Sequence, residues 1–313
     1  VGSNLRKDHP LFAQRIRQAA RHGCQVIALD SVERDWAIPV KHLLKHAASQ
    51  WVLALGGIAA AVAQEKGVAG PAGSFVIDDA ATAVARSLMA GERKAVLLGN
   101  AAAHHAQAAQ LLALANWIGE HTGATVGSLT EAANTVGAQF VGAHPVKGGL
   151  NAAQMLSGGL KAVLLLNNEP VHDSSAGARA TDALSGAEMV VTLSPFKANM
   201  EFSDVLLPIA PFTETSGSFI NAEGRLQSFH AVVRPLGDTR PAWKVLRVLA
   251  NMLEIPGFDF ETSQDVLVRA TNAAPGAFSQ IDATQLSNAV TGGGTASISG
   301  AAGEPVGASI YPL

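Results

Sequence analysis

Cysteine is almost missing from this sequence, with Cys24 as its single representative. One cysteine excludes a disulfide framework, and it excludes an all-cysteine metal or iron–sulfur site built from these residues. Cys24 reads as a small buried hydrophobe beside the turn residue Gly23. Charge is scarce as well. Charged residues make up 15% of the chain, against about 25% in ordinary soluble domains. A surface that poor in charge points to partial cover by a partner. The formal net charge is −3, so no basic field exists to attract nucleic acid. Long apolar runs are lacking too. The most apolar stretch, residues 51–63, is interrupted by Gly56-Gly57 and is shorter than the roughly 20 residues that cross a bilayer. The first residues turn polar within a few positions, unlike a signal peptide. Several catalytic signatures are also missing. There is no Walker A loop, no G-x-G-x-x-G at a strand–helix junction, no H-E-x-x-H and no G-x-S-x-G elbow.

The abundant residues are apolar ones. Hydrophobic types reach 48% of 313 residues, enough for roughly two domains at about 150 residues each. Asp8-His9-Pro10 opens a helix, Phe12 and Ile16 supply its apolar stripe, and Gly23 stops it. Residues 25–29 then form a short apolar run ending at Asp30, the pattern of a buried parallel strand. A Gly-Ser-Asn turn followed by helix and strand ordinarily follows an earlier strand, so the chain is expected to continue a strand that ends at Val1. Further apolar strands are expected at residues 95–98, 161–166, 188–193 and 205–207, with an Ala-rich helix at about 106–122. Strands alternating with helices imply an α/β fold of mostly parallel, Rossmann-like sheets flanked by helices. The expected division is residues 1–90, 91–260 and a C-terminal extension, 261–313. The small, polar, nearly uncharged composition from Ala283 to Gly307 reads as a partly flexible tail.

In parallel sheets, ligands bind beyond the carboxyl ends of the strands. Gly2-Ser3-Asn4 occupies such a position, either as a close approach to a phosphate or as a plain tight turn. Asp30 is placed to bind ribose hydroxyls or to cap the next segment. His104-His105 is the one adjacent histidine pair, but neighbours on a helix point about 100° apart and do not share a ligand face. The densest polar signal lies between Ser203 and Gln227. There Glu214, Asn221, Glu223 and Arg225 are candidates for a buried polar network.

These last segments carry a resemblance. "SDVLLPIAPFTETSGSFINAEGRLQ" (203–227) resembles the molybdopterin oxidoreductase superfamily pattern of A-D-V-V-L-P, a Glu, and a G-T-F-x-N-x-E-G-R-x-Q run. Ser203 and Ser218 are mild departures from it. "GSNLRKDHP" (2–10) is similar to the family's Gly-x-Asn turn, and "VLLLNNEP" (163–170) to its strand ending in Gly-x-Asn-Pro, with Asn167 and Glu169 departing. Within the superfamily, "DWAIPVKHL" (35–43), "RPAWKVLRVLANML" (240–253) and "EPVGASIYPL" (304–313) resemble the large iron–sulfur subunit of bacterial NADH:quinone oxidoreductase, respiratory complex I.

The resemblance implies a formate dehydrogenase/DMSO reductase-like fold. It implies vestigial pterin-nucleotide positions at Gly2, Ser3, Asn4, Asp30, Asn168 and Pro170, with no catalytic or metal residue here. An acidic Glu169 beside a pyrophosphate is electrostatically poor, so molybdopterin is not expected, and the iron–sulfur clusters belong to upstream sequence. The implied partners are the other hydrophilic subunits of the complex, with no nucleic acid. The implied location is the cytoplasmic side of the inner membrane, reached through those partners. The alternative is a fragment of a catalytic molybdenum- or tungsten-pterin oxidoreductase of formate-dehydrogenase type.

Overall fold

A computed structural model describes residues 1–145 and 148–271. They divide into two compact units, one from Val1 to Ala132 and the other beginning at Ala133. The sequence reading placed this division near residue 90. The difference has a packing cause. The helix expected near 106–122 packs against the apolar helix that starts at Trp51, so residues 95–132 share one core with the preceding segment. The expected extension 261–313 lies outside the described residues beyond Thr271.

In the first unit, α1 (Leu5–Asp8) and α2 (Pro10–Arg21) lead to β1 (Val26–Asp30), which pairs in parallel with β2 (Val40–Lys45). Helices α3 (Trp51–Lys66) and α4 (Asp79–Ala90) follow. Next, β3 (Ala95–Leu98) pairs in parallel with β4 (Thr125–Ser128), with α5 (Asn100–Ala103) and α6 (Ala108–Thr122) between them. Side chains alternate across the strands. Leu29, Leu44, Val96 and Leu98 join the core beneath α3, α4 and α6, with Trp51, Leu55, Ile58, Leu111, Leu114 and Ile118. Val26 and Leu97 instead join Leu5, Ile38 and Leu129, packed by Phe12 and Ile16 of α2. Both faces are therefore covered, as parallel sheets require. Each fully buried Leu or Ile contributes about 1.5–3 kcal/mol.

Helix α3 is apolar nearly all round and is buried along most of its length, as a helix without a polar face must be. It ends at Gly67 in the left-handed conformation (φ 65°), a favoured helix stop. Gly56 and Gly57 let other chain segments approach it. A β-carbon on Gly56 would fall 2.2 Å from the Phe75 ring, and one on Gly57 would fall 2.6 Å from the carbonyl oxygen of Val76. Gly56→Ala is therefore expected to displace Phe75 and lower stability by about 1 kcal/mol. Denaturant midpoints would read this, and an unchanged midpoint would show that Phe75 moves freely. No helix among the described residues is long and apolar enough to cross a membrane.

The second unit contains α7 (Thr135–Phe140), α8 (Ala152–Met155) and a parallel sheet in the order β5 (Ala162–Leu166), β6 (Met189–Ser194), β7 (Val205–Pro208). Helices α9 (Pro170–Asp173) and α10 (Arg179–Ser185) connect β5 to β6. Leu165, Val190, Leu184 and Phe202 form the small core on one face of this sheet. Leu164, Leu166, Met189 and Val205 stand exposed on the other. An antiparallel hairpin, β8 (Gly217–Ile220) with β9 (Leu226–Phe229), precedes α11 (Ala242–Met252) and α12 (Ser263–Thr271).

The hairpin corrects the expected buried network. Glu223 and Arg225 are exposed. The Asn221 side chain accepts hydrogen bonds from the backbone N–H groups of Glu223 and Arg225, and Gly224 turns the chain with φ 79°. The Glu214 carboxylate accepts from the Leu236 N–H instead of joining them. These polar residues build a turn, in which side chains replace missing backbone partners. Cys24 also differs from expectation. It is exposed, because Gly23 (φ 95°) swings the chain out between α2 and β1.

Candidate functional site at the carboxyl ends of the strands

In the first unit, Val1 and Gly2 lie between β1 and β3. The Val1 amino group donates to the Leu97 carbonyl (2.8 Å), and the Val1 carbonyl accepts from the Gly99 N–H (2.7 Å). On the other side, the Gly2 N–H donates to the Leu29 carbonyl (2.8 Å). Gly2-Ser3 therefore sits between the carboxyl ends of β1 and β3, the side on which ligands bind in parallel α/β sheets.

Four predicted residues lie at or beside this point. Gly2 has φ 57°, and a β-carbon there would fall 2.7 Å from the Trp51 ring and 2.9 Å from the Ala102 nitrogen. Ser3 is buried, and its hydroxyl has no hydrogen-bond partner. Asn4 starts α1, and its N–H donates to the Asp8 carboxylate (3.3 Å). Asp30, at the end of β1, is 1% exposed. Its carboxylate accepts from the Ser31 N–H (2.7 Å) and from the Arg34 Nε (2.9 Å), with longer bonds from Val32 and a second Arg34 nitrogen (both 3.3 Å). Of its two possible roles, the capping one is what the side chain performs. Asn168 and Pro170 belong to the second unit. There Asn168 is exposed, and its carbonyl accepts from the Asn199 side chain (3.0 Å). Pro170 is buried at the start of α9, where the Glu169 N–H donates to the Asp173 carboxylate (2.7 Å).

Sequence reasoning missed Gly99 and Asn100 as part of this place. A β-carbon on Gly99 would fall 2.3 Å from Ser3 Cβ and 2.5 Å from the Gly2 carbonyl oxygen. Asn100 is buried, and its side-chain oxygen lacks a partner. The available signal was a Gly-Asn pair closing an apolar strand, the same punctuation that marks Gly2 and Asn4. Gly99→Ala is expected to push the Gly2–Ser3 backbone aside at a loss of about 2 kcal/mol. Urea unfolding would measure it, and a loss below a few tenths would refute the close approach.

His104 sits nearby, with its Nε2 on the Glu131 carboxylate. That hydrogen bond raises the His104 pKa above the usual 6.5, against an opposing effect of burial and with help from the charge of Glu131. His105 stacks on Trp51 at 5.8 Å and bonds the Ala48 carbonyl (2.9 Å). The two rings thus serve different partners, and no group of three metal-ligating side chains occurs among the described residues.

Parallel strands joined by helices, with small and polar residues at the strand ends, define an α/β protein of the doubly wound type. The sequence profile of the molybdopterin oxidoreductase family matches residues 1–252, and the chain belongs to that family. Among curated relatives, it is 37% identical over 75 residues to the probable oxidoreductase YjgC of Bacillus subtilis, covering 24% of this chain and 8% of that protein. It is 42% identical over 59 residues to putative formate dehydrogenases of Staphylococcus aureus strains bovine RF122 and USA300, covering 19% of this chain and 6% of each. The matched stretches are thus less than a tenth of those relatives' length.

A pterin nucleotide fits the first unit's residues poorly. Gly2 and Gly99 owe their lack of a side chain to Trp51 and to each other's backbone, so their bareness does not open a phosphate cradle. The acid suited to ribose hydroxyls is held by Arg34. The Ser3 hydroxyl and the Asn100 amide oxygen are buried polar atoms at this place without a partner.

Proposed function

We propose that this chain is a non-catalytic structural portion of the iron–sulfur large subunit of bacterial NADH:quinone oxidoreductase. In that enzyme, electrons pass from NADH to quinone through clusters held upstream of this portion, coupled to proton translocation. The chain then needs no cofactor of its own. It packs among the other hydrophilic subunits, and it meets the cytoplasmic face of the inner membrane only through them. The observation that carries this reading is the Asp30 carboxylate, saturated by Arg34 and by the N–H groups of Ser31 and Val32. A carboxylate already holding several charge-assisted bonds has little left for a ribose. The exposed apolar face of β5–β7 supports burial against a partner.

A second reading is a portion of a molybdenum- or tungsten-pterin oxidoreductase acting on formate. The unpartnered Ser3 hydroxyl and Asn100 oxygen favour it, since buried polar atoms ordinarily have partners. The relatives named formate dehydrogenases favour it too. Metal analysis and fluorescence of oxidised pterin extracts, run on the full native protein, separate the two. Strongly substoichiometric metal and pterin are expected, together with co-migration of this chain with NADH–quinone reductase activity on native gels of solubilised membranes. Near-stoichiometric pterin with molybdenum or tungsten would overturn the structural reading.

A further inference from the structure

Helix α2 turns Phe12, Ala13, Ile16 and Ala20 inward, against Leu5, Ile38 and Leu129. At about 100° per residue, the opposite face carries Leu11, Gln14 and Gln18 along its middle. Arg15 lies on one flank of that stripe, and Arg17 and Arg21 lie on the other. All six side chains are exposed. Charge is unevenly spread here. From Arg6 to Arg21 the sequence holds five cations and one acid, Asp8, a net +4 in a chain whose total is −3. Asp35 takes Arg6. Lys7, Arg15, Arg17 and Arg21 meet no carboxylate among the described residues. A helix face made for water ordinarily interleaves acids with bases, and their i,i+4 pairs support it. Helix α2 contains no acid at all. Arg17 and Arg21 stand four residues apart, a spacing at which like charges repel. The helix dipole favours Arg21, in the last turn, but its pull does not reach Arg15 or Arg17.

We infer that the outer face of α2 is a docking surface for another protein, and that the surface meeting it is acidic. One carboxylate pairs with Arg15, and a second lies between Arg17 and Arg21 and removes their repulsion. Leu11, Gln14 and Gln18 pack between these two contacts. Charge complementarity sets the chemistry of the occupant. Arginine, which all three helix cations are, binds carboxylates with two parallel hydrogen bonds. It is enriched at protein interfaces, where lysine is depleted. A lipid surface fits less well. A helix that lies in a membrane needs a broad apolar face, and here the stripe between the arginines offers Leu11, 76% exposed, and two glutamines. Nucleic acid needs a basic field wider than one helix in a net-acidic chain. The inference goes beyond the functional reading above. It holds for any acidic protein partner, respiratory or not, and survives if that reading fails.

Photo-crosslinking in cells that make the full native protein tests this. Gln14 and Gln18 are replaced, one at a time, by p-benzoylphenylalanine, and the crosslinked peptide is sequenced by mass spectrometry. The expected product joins α2 to a segment of another protein in which carboxylates outnumber cations. Arg15→Glu with Arg17→Glu is expected to lower its yield by about tenfold or more. Lys161→Glu with Lys197→Glu removes the same charge from exposed positions of the second unit and is expected to leave the yield unchanged. Should the first pair of reversals lower the melting midpoint of the purified protein, Arg15→Gln with Arg17→Gln takes its place, with the same loss expected. No crosslink from either position overturns the inference. So does a crosslink to lipid, to nucleic acid, to a second copy of this chain, or to a neutral or basic protein segment. An equal loss of yield with the Lys161 and Lys197 reversals also overturns it, because net charge and not this face would then be at work.

Discussion

Trp51→Ala is expected to lower the stability of the first unit by about 3–5 kcal/mol, the usual range for removing a buried tryptophan. Trp51 is 1% exposed. Its indole N–H donates to the His46 carbonyl (3.1 Å), and its ring stacks on His105. The same ring fills the space that a β-carbon on Gly2 would occupy. Its loss therefore leaves a cavity, orphans a carbonyl and unseats the residue that joins β1 to β3. Trp51→Phe would keep most of the packing and forfeit only the hydrogen bond, about 1 kcal/mol. Urea unfolding of both variants checks the account. A Trp51→Ala loss no larger than that of Trp51→Phe would show that packing is not what the ring supplies.

The second large effect concerns pH. The group concerned is His104. Its hydrogen bond to the Glu131 carboxylate raises its pKa above the usual 6.5, against an opposing effect of burial. The folded protein therefore binds the proton more tightly than the unfolded chain, and this contribution to stability is complete below about 6.5 and lost as pH climbs through the folded value. Glu131→Gln removes the cause of the shift. Urea midpoints at pH 6, 7 and 8 in both proteins check it. The decline of stability with rising pH is expected to flatten in the variant, and an undiminished slope would refute the assignment.

Much of this fold was legible because buried parallel strands are written as unbroken apolar runs. Ala95–Leu98 and Val26–Asp30 were found in that way. The strands that escaped have specific reasons. Val40–Lys45 carries Lys41 and His42 and follows Pro39, while Thr125–Ser128 is short and contains Gly127. The candidate site was half legible. Gly2, Ser3 and Asp30 announced themselves as punctuation after apolar runs. Gly99 and Asn100 carry the same punctuation, but their meaning depends on contact with residues almost a hundred positions away. Asp30 shows the limit of residue type. Nothing in its own identity told that Arg34 and the N–H groups of Ser31 and Val32 would be its partners.

The joint at Val1–Gly2 has a consequence for how the first unit assembles. The partners it ties together, Val1 and Leu97, are 96 positions apart, whereas β1 meets β2, and β3 meets β4, over much shorter stretches of chain. Closing a long loop loses more chain entropy than closing a short one, and contacts between distant residues slow folding. The two strand pairs are thus expected to form early, with the joint last to close on refolding. In denaturant the sheet would part first along that line.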